Sequence, residues 1–297
     1  MNIAKCLVLL SSLCLSKTRN RSIQKSSRQI HPSTMNKLAQ TTDRPVLWEE
    51  LTWEEIAALR ESGRDLVILP IGATEQHSLH LPVGVDTFSV MAVAEGVSAM
   101  TGFPVLPPLA YGVSLGHTSK WPGTISLRPE TLSAIVLEIA EWIVNAGFSR
   151  LVILNGHYTN WAPLRCGLEN IRHRYPLLKI ALRSLWEISS NINELYQQDA
   201  ANFHANCAET SVMMAVRPDL VQSEKAKDEP DRSSHCFFSY TVADESVYGG
   251  VGKPSDATTQ FGRRLLDACI ETLSQQLKKA LVEKTPLETM PPSVPMT

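Results

Sequence analysis

Between residues 46 and 285 short apolar runs alternate strictly with amphipathic helical patterns, and this alternation limits the fold more than any other feature. Residues 66–71 (LVILPI) and 150–154 (RLVIL) are continuous apolar runs of strand length. Each ends in a glycine-bearing turn, Gly72 or Asn155-Gly156, as expected of strands covered on both faces. Residues 104–106 and 178–182 predict two further strands. Helices are predicted over 53–62, 87–100, 162–173 and 260–283, and from Pro129 onward. The first has capping-box spacing from Thr52 to Glu55 and a stop at Gly63. In the helix opened by Pro129, residues Leu132, Ile135, Val136, Ile139 and Ile143 fall on one apolar stripe. The expected fold class is therefore α/β, with a layered, largely parallel sheet flanked by helices on both faces. Functional residues belong where such strands end and loops begin. Residues 225–255 read as a long loop or cap, and 286–297 as a flexible tail.

Composition narrows the function classes. With 43% hydrophobic residues and a net charge of −2, the chain can bury a large core and has no basic field for a nucleic-acid backbone. Seven of the 28 basic residues precede Asp43 and no acid does, leaving 21 bases against 30 acids downstream. Neutral or cationic small molecules meet no electrostatic barrier on approaching that acidic part. Residues 1–42, basic and Ser-rich behind a short apolar run, have the composition of a targeting segment; the competing reading is an over-long start, with Met35 as initiator. That apolar run, about ten residues long, is too short to cross a bilayer, so no membrane partner is expected. Six cysteines without a C-x-x-C pair indicate neither a disulfide framework nor a thiolate metal site. The expected location is the cytoplasm, or an organelle if residues 1–42 act as a transit peptide.

The chemistry-bearing residues gather after predicted strands. Glu75 and His77 follow the strand at 66–71, with Asp86 a few residues on. His157 follows the strand at 150–154, and a third cluster holds His204, Cys207 and Glu209. Each residue has an ordinary structural reading when taken singly: a hydrogen-bonded turn histidine, a helix N-cap for Asp86, a first-turn glutamate for Glu209. Their co-occurrence in loops of a fold whose strand ends converge favours a metal site instead. Carboxylate and imidazole donors suit zinc, manganese or ferrous iron. Two such ions sharing a carboxylate would activate a water for hydrolysis.

Other candidates take supporting roles. His80 reads as support for the first loop and His173 as a surface residue; His117 could line the pocket or orient a ligand, with structural support as the favoured reading. Cys207 reads as a small buried residue. Trp121, Trp161 and Trp186 are pocket candidates by their nearness to the motifs in sequence, with buried core as the favoured reading for each. Gly249-Gly250-Val251-Gly252 lacks the context of a phosphate loop.

The segments GATEQHSLHLPVGVDT, GVSLGHTSKWPGTISLRPETL, LVILNGHYTNW, HANCAETSVMM and GVGKPSDAT occur in an order that resembles the creatininase (creatinine amidohydrolase) family. The resemblance spans about residues 46–273. It implies a creatininase-like fold, a binuclear centre of two divalent metal ions (Zn, Mn or Fe), a small-molecule substrate, and a homo-oligomer, often a hexamer. It further implies that Glu75, Asp86 and His157 hold one metal and that Asp86 bridges to a second held by His77. Thr159 stands where creatininase has a glutamate ligand, so Glu209 is the candidate to complete the second site. His204 resembles the family's catalytic histidine. Phe203 replaces an acid before it, and Gly116 stands where a glutamate is frequent. These departures preserve the hydrolytic core and weaken creatinine as the substrate. The implied activity is metal-dependent hydrolysis of an amide, cyclic amide or formamide C–N bond. Its rivals are a family deformylase or a mycofactocin-type peptide-trimming enzyme and, in another class, a non-catalytic metal- and ligand-binding homologue.

Overall fold

A computed structural model describes residues 44–289. The extension at 1–42 and the tail beyond Thr289 lie outside the described residues. In chain order the elements are α1 (Trp53–Glu61), β1 (Leu66–Ile71), α2 (Val85–Thr101), α3 (Pro129–Asn145), β2 (Arg150–Asn155), α4 (Trp161–Arg174), β3 (Lys179–Ser184), α5 (Ser190–Tyr196), α6 (Cys207–Val216), α7 (Val242–Glu245), α8 (Thr259–Ala280) and α9 (Pro286–Thr289).

The three strands form a parallel sheet in the order β1-β2-β3, with Leu66 opposite Arg150 and Arg150 opposite Lys179. Because side chains alternate along a strand, each apolar run feeds two cores. Leu66, Ile68, Val152 and Leu154 face α2 and α8, packing with Val90, Val97, Leu265 and Leu273. Val67, Leu69, Leu151 and Ile153 face α3 and α4, packing with Leu132, Val136, Leu164 and Ile171. Fully burying one such side chain is worth about 1.5–3 kcal/mol. The continuous runs are thus explained by the need to fill both faces.

Several expectations need adjusting. The segment predicted as a strand at 104–106 only flanks β1: the Ile68 N–H donates to the Pro104 carbonyl at 3.0 Å and the Leu106 N–H to the Ile68 carbonyl at 2.8 Å. Pro104, Pro107 and Pro108 lack the donors a regular ladder needs. In α3 the buried stripe is Leu132, Val136, Ala140 and Ile143, while Ile135 is only partly buried. Asp86 lies inside the first turn of α2, whose N-cap is Gly84, so it does not cap that helix. Helix α8 ends at Ala280. Residues 286–289 of the expected free tail form a helical turn, with the Thr285 N–H bonded to Glu288 Oε2 at 2.7 Å.

The long segment at 225–255 is irregular apart from short turns and α7, and Glu229 fastens it. Its buried carboxylate accepts hydrogen bonds from the Val247 N–H at 2.7 Å, the Tyr248 N–H at 2.9 Å and the Ser246 hydroxyl. The far end pairs with the chain beside the third motif, where the His204 and Val251 backbones exchange bonds of 3.0 and 2.7 Å. The segment therefore lies against the ends of the motif loops. No helix among the described residues is long and apolar enough to cross a membrane.

Candidate metal centre

The loop leaving β1 carries Glu75 and His77, the first turn of α2 carries Asp86, and the turn leaving β2 carries His157. Residue His204 precedes α6, and Glu209 lies in that helix's first turn. Asn206 caps α6 through its side chain, accepting the Glu209 N–H at 3.1 Å, and the Glu209 carboxylate reaches back to the Ala205 N–H at 2.6 Å. Ser78 (φ 58°) and Ala205 (φ 50°), each directly after a site histidine, occupy the left-handed region that side-chain-bearing residues seldom adopt. Backbone strain of this kind is characteristic of functional loops.

The structure brings all six sequence-predicted site residues together. His157 lies with Nε2 3.1 Å from Glu75 Oε2 and Nδ1 3.2 Å from Asp86 Oδ2, while His77 Nε2 is 3.3 Å from Asp86 Oδ1. Ligand-type atoms form three overlapping groups, each within 4.8 Å: Glu75, Asp86 and His157; His77, His204 and Glu209; and Glu75, His117 and His204. Asp86 thus reaches from the first group to a member of the second.

Outer partners fix the imidazoles. His77 Nδ1 lies 3.0 Å from the Glu75 carbonyl, so its N–H donates there and leaves Nε2 aimed into the cluster. His157 Nε2 lies 2.9 Å from the Val113 carbonyl, which turns Nδ1 toward Asp86. Thr159 Oγ1, at the position of the family's glutamate, contacts this same His157 Nε2 at 2.6 Å.

The electrostatics are those of a site built for cations. Both Glu75 oxygens, Asp86 Oδ2 and His77 Nε2 are buried without a well-directed hydrogen bond, and imidazole or carboxylate groups face them at ion-pair distance. Such groups are strongly destabilising unless charge is supplied to them. Burial opposes protonation of His77, yet Asp86, Glu209 and Glu75 outweigh it and raise the imidazole to about 10. His157 is raised to about 9 in the same way by Glu75 and Asp86. Burial pushes Glu209 up to about 7, with His77 opposing. Burial, reinforced by His77 and His117, holds His204 well below the usual histidine range. The donor set, carboxylate oxygen and imidazole nitrogen without thiolate, suits a borderline divalent metal. The residues present therefore fit the implied group: divalent ions would replace the protons that the buried carboxylates otherwise hold on His77 and His157.

Sequence reasoning gives too small a role to one residue of this centre and misses a second. His117, read as structural support, points Nδ1 at Glu75 Oε1 from 3.2 Å; burial and its charged neighbours lower it to about 3. Gln76 places Nε2 3.0 Å from His117 Nδ1, 3.3 Å from His204 Nε2 and 2.9 Å from the Gly249 carbonyl. The available signal was its place between Glu75 and His77. The close approach also accounts for Gly249 (φ +90°), where a Cβ would collide with Gln76 Oε1.

The supporting assignments divide. His80 is buried and hydrogen-bonded to Thr210 Oγ1 at 2.8 Å, His173 is exposed, and Cys207 is buried with its thiol pushed up by burial. Trp186 is core and also lines the cavity above the cluster. Trp161 is 44% exposed and Trp121 partly exposed, so the core reading fails for both. Trp161 opens α4 at the surface and Trp121 lies in an irregular loop.

A parallel sheet with a buried carboxylate and imidazole cluster at its strand ends defines a class of metal-binding α/β hydrolases. The chain belongs to the creatininase family, whose model, creatinine amidohydrolase, matches residues 49–277. Creatinine amidohydrolase of Pseudomonas putida is 30% identical over 247 residues, 77% of this chain and 95% of that protein. The mycofactocin precursor peptide peptidase of Mycolicibacterium smegmatis is 29% identical over 229 residues, 72% and 85% of the two chains. Among solved structures, a manganese form of creatininase superposes with a TM-score of 0.73 at 28% identity, covering 80% of this chain and 100% of that one. A Zn–Zn form of a creatininase mutant gives the same score and identity, with coverage of 80% and 99%.

Proposed function

We propose that the protein is a metal-dependent amidohydrolase that cleaves a C–N bond, other than a peptide bond, in a small molecule. The observation that carries this reading is the pair of buried ligand groups joined through Asp86. In it, Glu75, Asp86 and His157 would hold one divalent ion, and Asp86, His77 and Glu209 would hold a second. When bound, the ions supply a water of lowered pKa and polarise the substrate carbonyl. His204, neutral and adjacent to both groups, carries the proton from the attacking water to the leaving nitrogen. Gln76, touching both His204 and His117, orients those rings. The Mycolicibacterium relative is named for a precursor peptide, so short peptides belong in the substrate panel beside amides and formamides.

The deciding experiment is metal content per chain for the wild type and Glu209→Ala, by elemental analysis after dialysis. About two equivalents falling to about one supports the assignment. Fewer than two in the wild type would mean that Thr159 in the glutamate position has removed the second site.

A second outcome follows from ligand protonation. At pH 7 His77 and His157 carry protons in the metal-free protein, and metal ligation requires both to leave. Metal loading at pH 7 should release between about two and three protons per chain, because Glu209 is still partly protonated there, and affinity should rise with pH until about pH 10. Calorimetric titrations in buffers of different ionisation heat measure this directly. Metal binding without proton release would remove both histidines from the ligand set.

A further inference from the structure

Glu229 lies buried in the segment over the site and grips that segment's far end at two points. Its backbone exchanges hydrogen bonds of 2.9 and 2.7 Å with Gly252. Its carboxylate takes the Val247 and Tyr248 N–H groups, the Ser246 hydroxyl and, at 3.4 Å, Arg232 Nη1. Burial works to raise this carboxyl, but the donors together outweigh it and hold the group below the usual carboxylate range. An ionised carboxylate can only accept. The Ser246 hydroxyl therefore donates to Glu229, and its oxygen accepts the Gly249 N–H at 2.6 Å.

The relay continues into the metal centre. The Gly249 carbonyl takes one N–H of the Gln76 amide at 2.9 Å, while Gln76 Oε1 accepts the Ser78 N–H at 2.9 Å. A backbone acceptor at one end and a backbone donor at the other fix which end of the amide is nitrogen. The second Nε2 proton faces ring nitrogens of His117 at 3.0 Å and His204 at 3.3 Å. His204 Nε2 donates to the Gln76 carbonyl at 2.8 Å, so the amide proton goes to His117 Nδ1. Beside Gly252, Val251 pairs with the His204 backbone. One carboxylate thus stands behind both rings, by a side-chain route through Ser246 and a backbone route through Gly252.

We infer that Glu229 is a positioning residue for the hydrolytic centre: through Ser246 and the Gly249 carbonyl its carboxylate holds the Gln76 amide that orients His117 and His204. This rests on the amidohydrolase reading, in which His204 moves the proton. Ser246→Ala supplies a fold-safe test, because it removes a single hydroxyl and leaves the carboxylate its backbone donors.

The test uses the metal-loaded full chain and two parallel readouts. Turnover is measured with creatinine, formanilide and a dipeptide amide, and backbone hydrogen exchange is followed by mass spectrometry. Glu229→Gln keeps the side chain's size but turns an N–H group toward the donors. It should lower kcat by about ten- to a hundredfold, with KM and metal content within about twofold of the wild type. Ser246→Ala should lower kcat by about two- to tenfold, the range for one hydrogen bond, and quicken exchange over residues 74–80, where Gln76 holds the Ser78 N–H, by a similar factor. Combining Glu229→Gln with Gln76→Ala should leave kcat no lower than Gln76→Ala alone, because both changes act through one amide. Multiplied effects in the double variant, metal loss in Glu229→Gln or Ser246→Ala, or quickened exchange confined to residues 246–252 overturns the inference. Absence of wild-type turnover with all three compounds would instead count against the amidohydrolase reading, and exchange over 74–80 would still decide the relay.

Discussion

Asp86→Ala is expected to abolish binding at both metal positions and to lower kcat/KM on any amide substrate by about a thousandfold or more. The carboxylate touches His157 through one oxygen and His77 through the other, at 3.2 and 3.3 Å, and so joins the two groups. Those two histidines hold the carboxyl well below the usual carboxylate range, against burial, which makes Asp86 an anion throughout the physiological pH range. Its loss lowers the charge available to two cations at once. The effect on metal-free stability has a defined sign. His77 and His157 have raised folded-state values, so their contribution to stability is present below about pH 6.5 and is lost as pH rises through about 9–10. Asp86→Ala should flatten that dependence, which thermal melts of the metal-free proteins across pH would show. Elemental analysis supplies the deciding readout: two tightly bound metals in Asp86→Ala would refute the bridging role.

The layout of the fold was legible because it follows from local rules. The runs at 66–71 and 150–154 emerge as β1 and β2 almost to the residue, since a strand buried on both faces has no polar positions to blur it. The capping box at Thr52 and Glu55 likewise forms as its spacing requires, with the Thr52 N–H on Glu55 Oε2 at 2.8 Å. The Pro-rich stretch at 104–109 misled because its apolar pattern is that of a strand while its prolines leave only scattered ladder bonds.

The site was legible in its residue types and opaque in its distances. Glu75, His77 and Asp86 lie close in sequence, but their meeting with His157, His204 and Glu209 depends on how β2 and α6 pack, which no spacing rule contains. His117 illustrates the limit. It is separated from Glu75 by some forty residues that include α2, and only the tertiary path of that segment turns its ring onto the carboxylate. The same holds for Trp186, whose side chain serves the core on one side and the cavity on the other.

His204→Ala is expected to retain the metals and to lose turnover by about a hundred- to ten-thousandfold, the usual contribution of a positioned proton carrier. The ring lies within 4.8 Å of ligand atoms in two groups, so a ligand role and a proton-transfer role both fit its position, and they make opposite predictions for metal content. Its surroundings favour proton transfer. Nε2 lies 2.8 Å from the Gln76 carbonyl, so its N–H is held there and Nδ1 keeps a free lone pair. Burial and the positive charge on His77 keep the ring neutral, ready to accept a proton from the attacking water. Replacing that proton with bound ions leaves positive charge nearby, so the neutral form stays favoured. Exogenous imidazole should restore part of the lost rate in His204→Ala, because alanine leaves the space the ring occupied. Loss of one metal equivalent in that variant, with no rescue by imidazole, would make His204 a ligand and move the proton to another group, for which His117 is the neighbour at 4.6 Å between ring centroids.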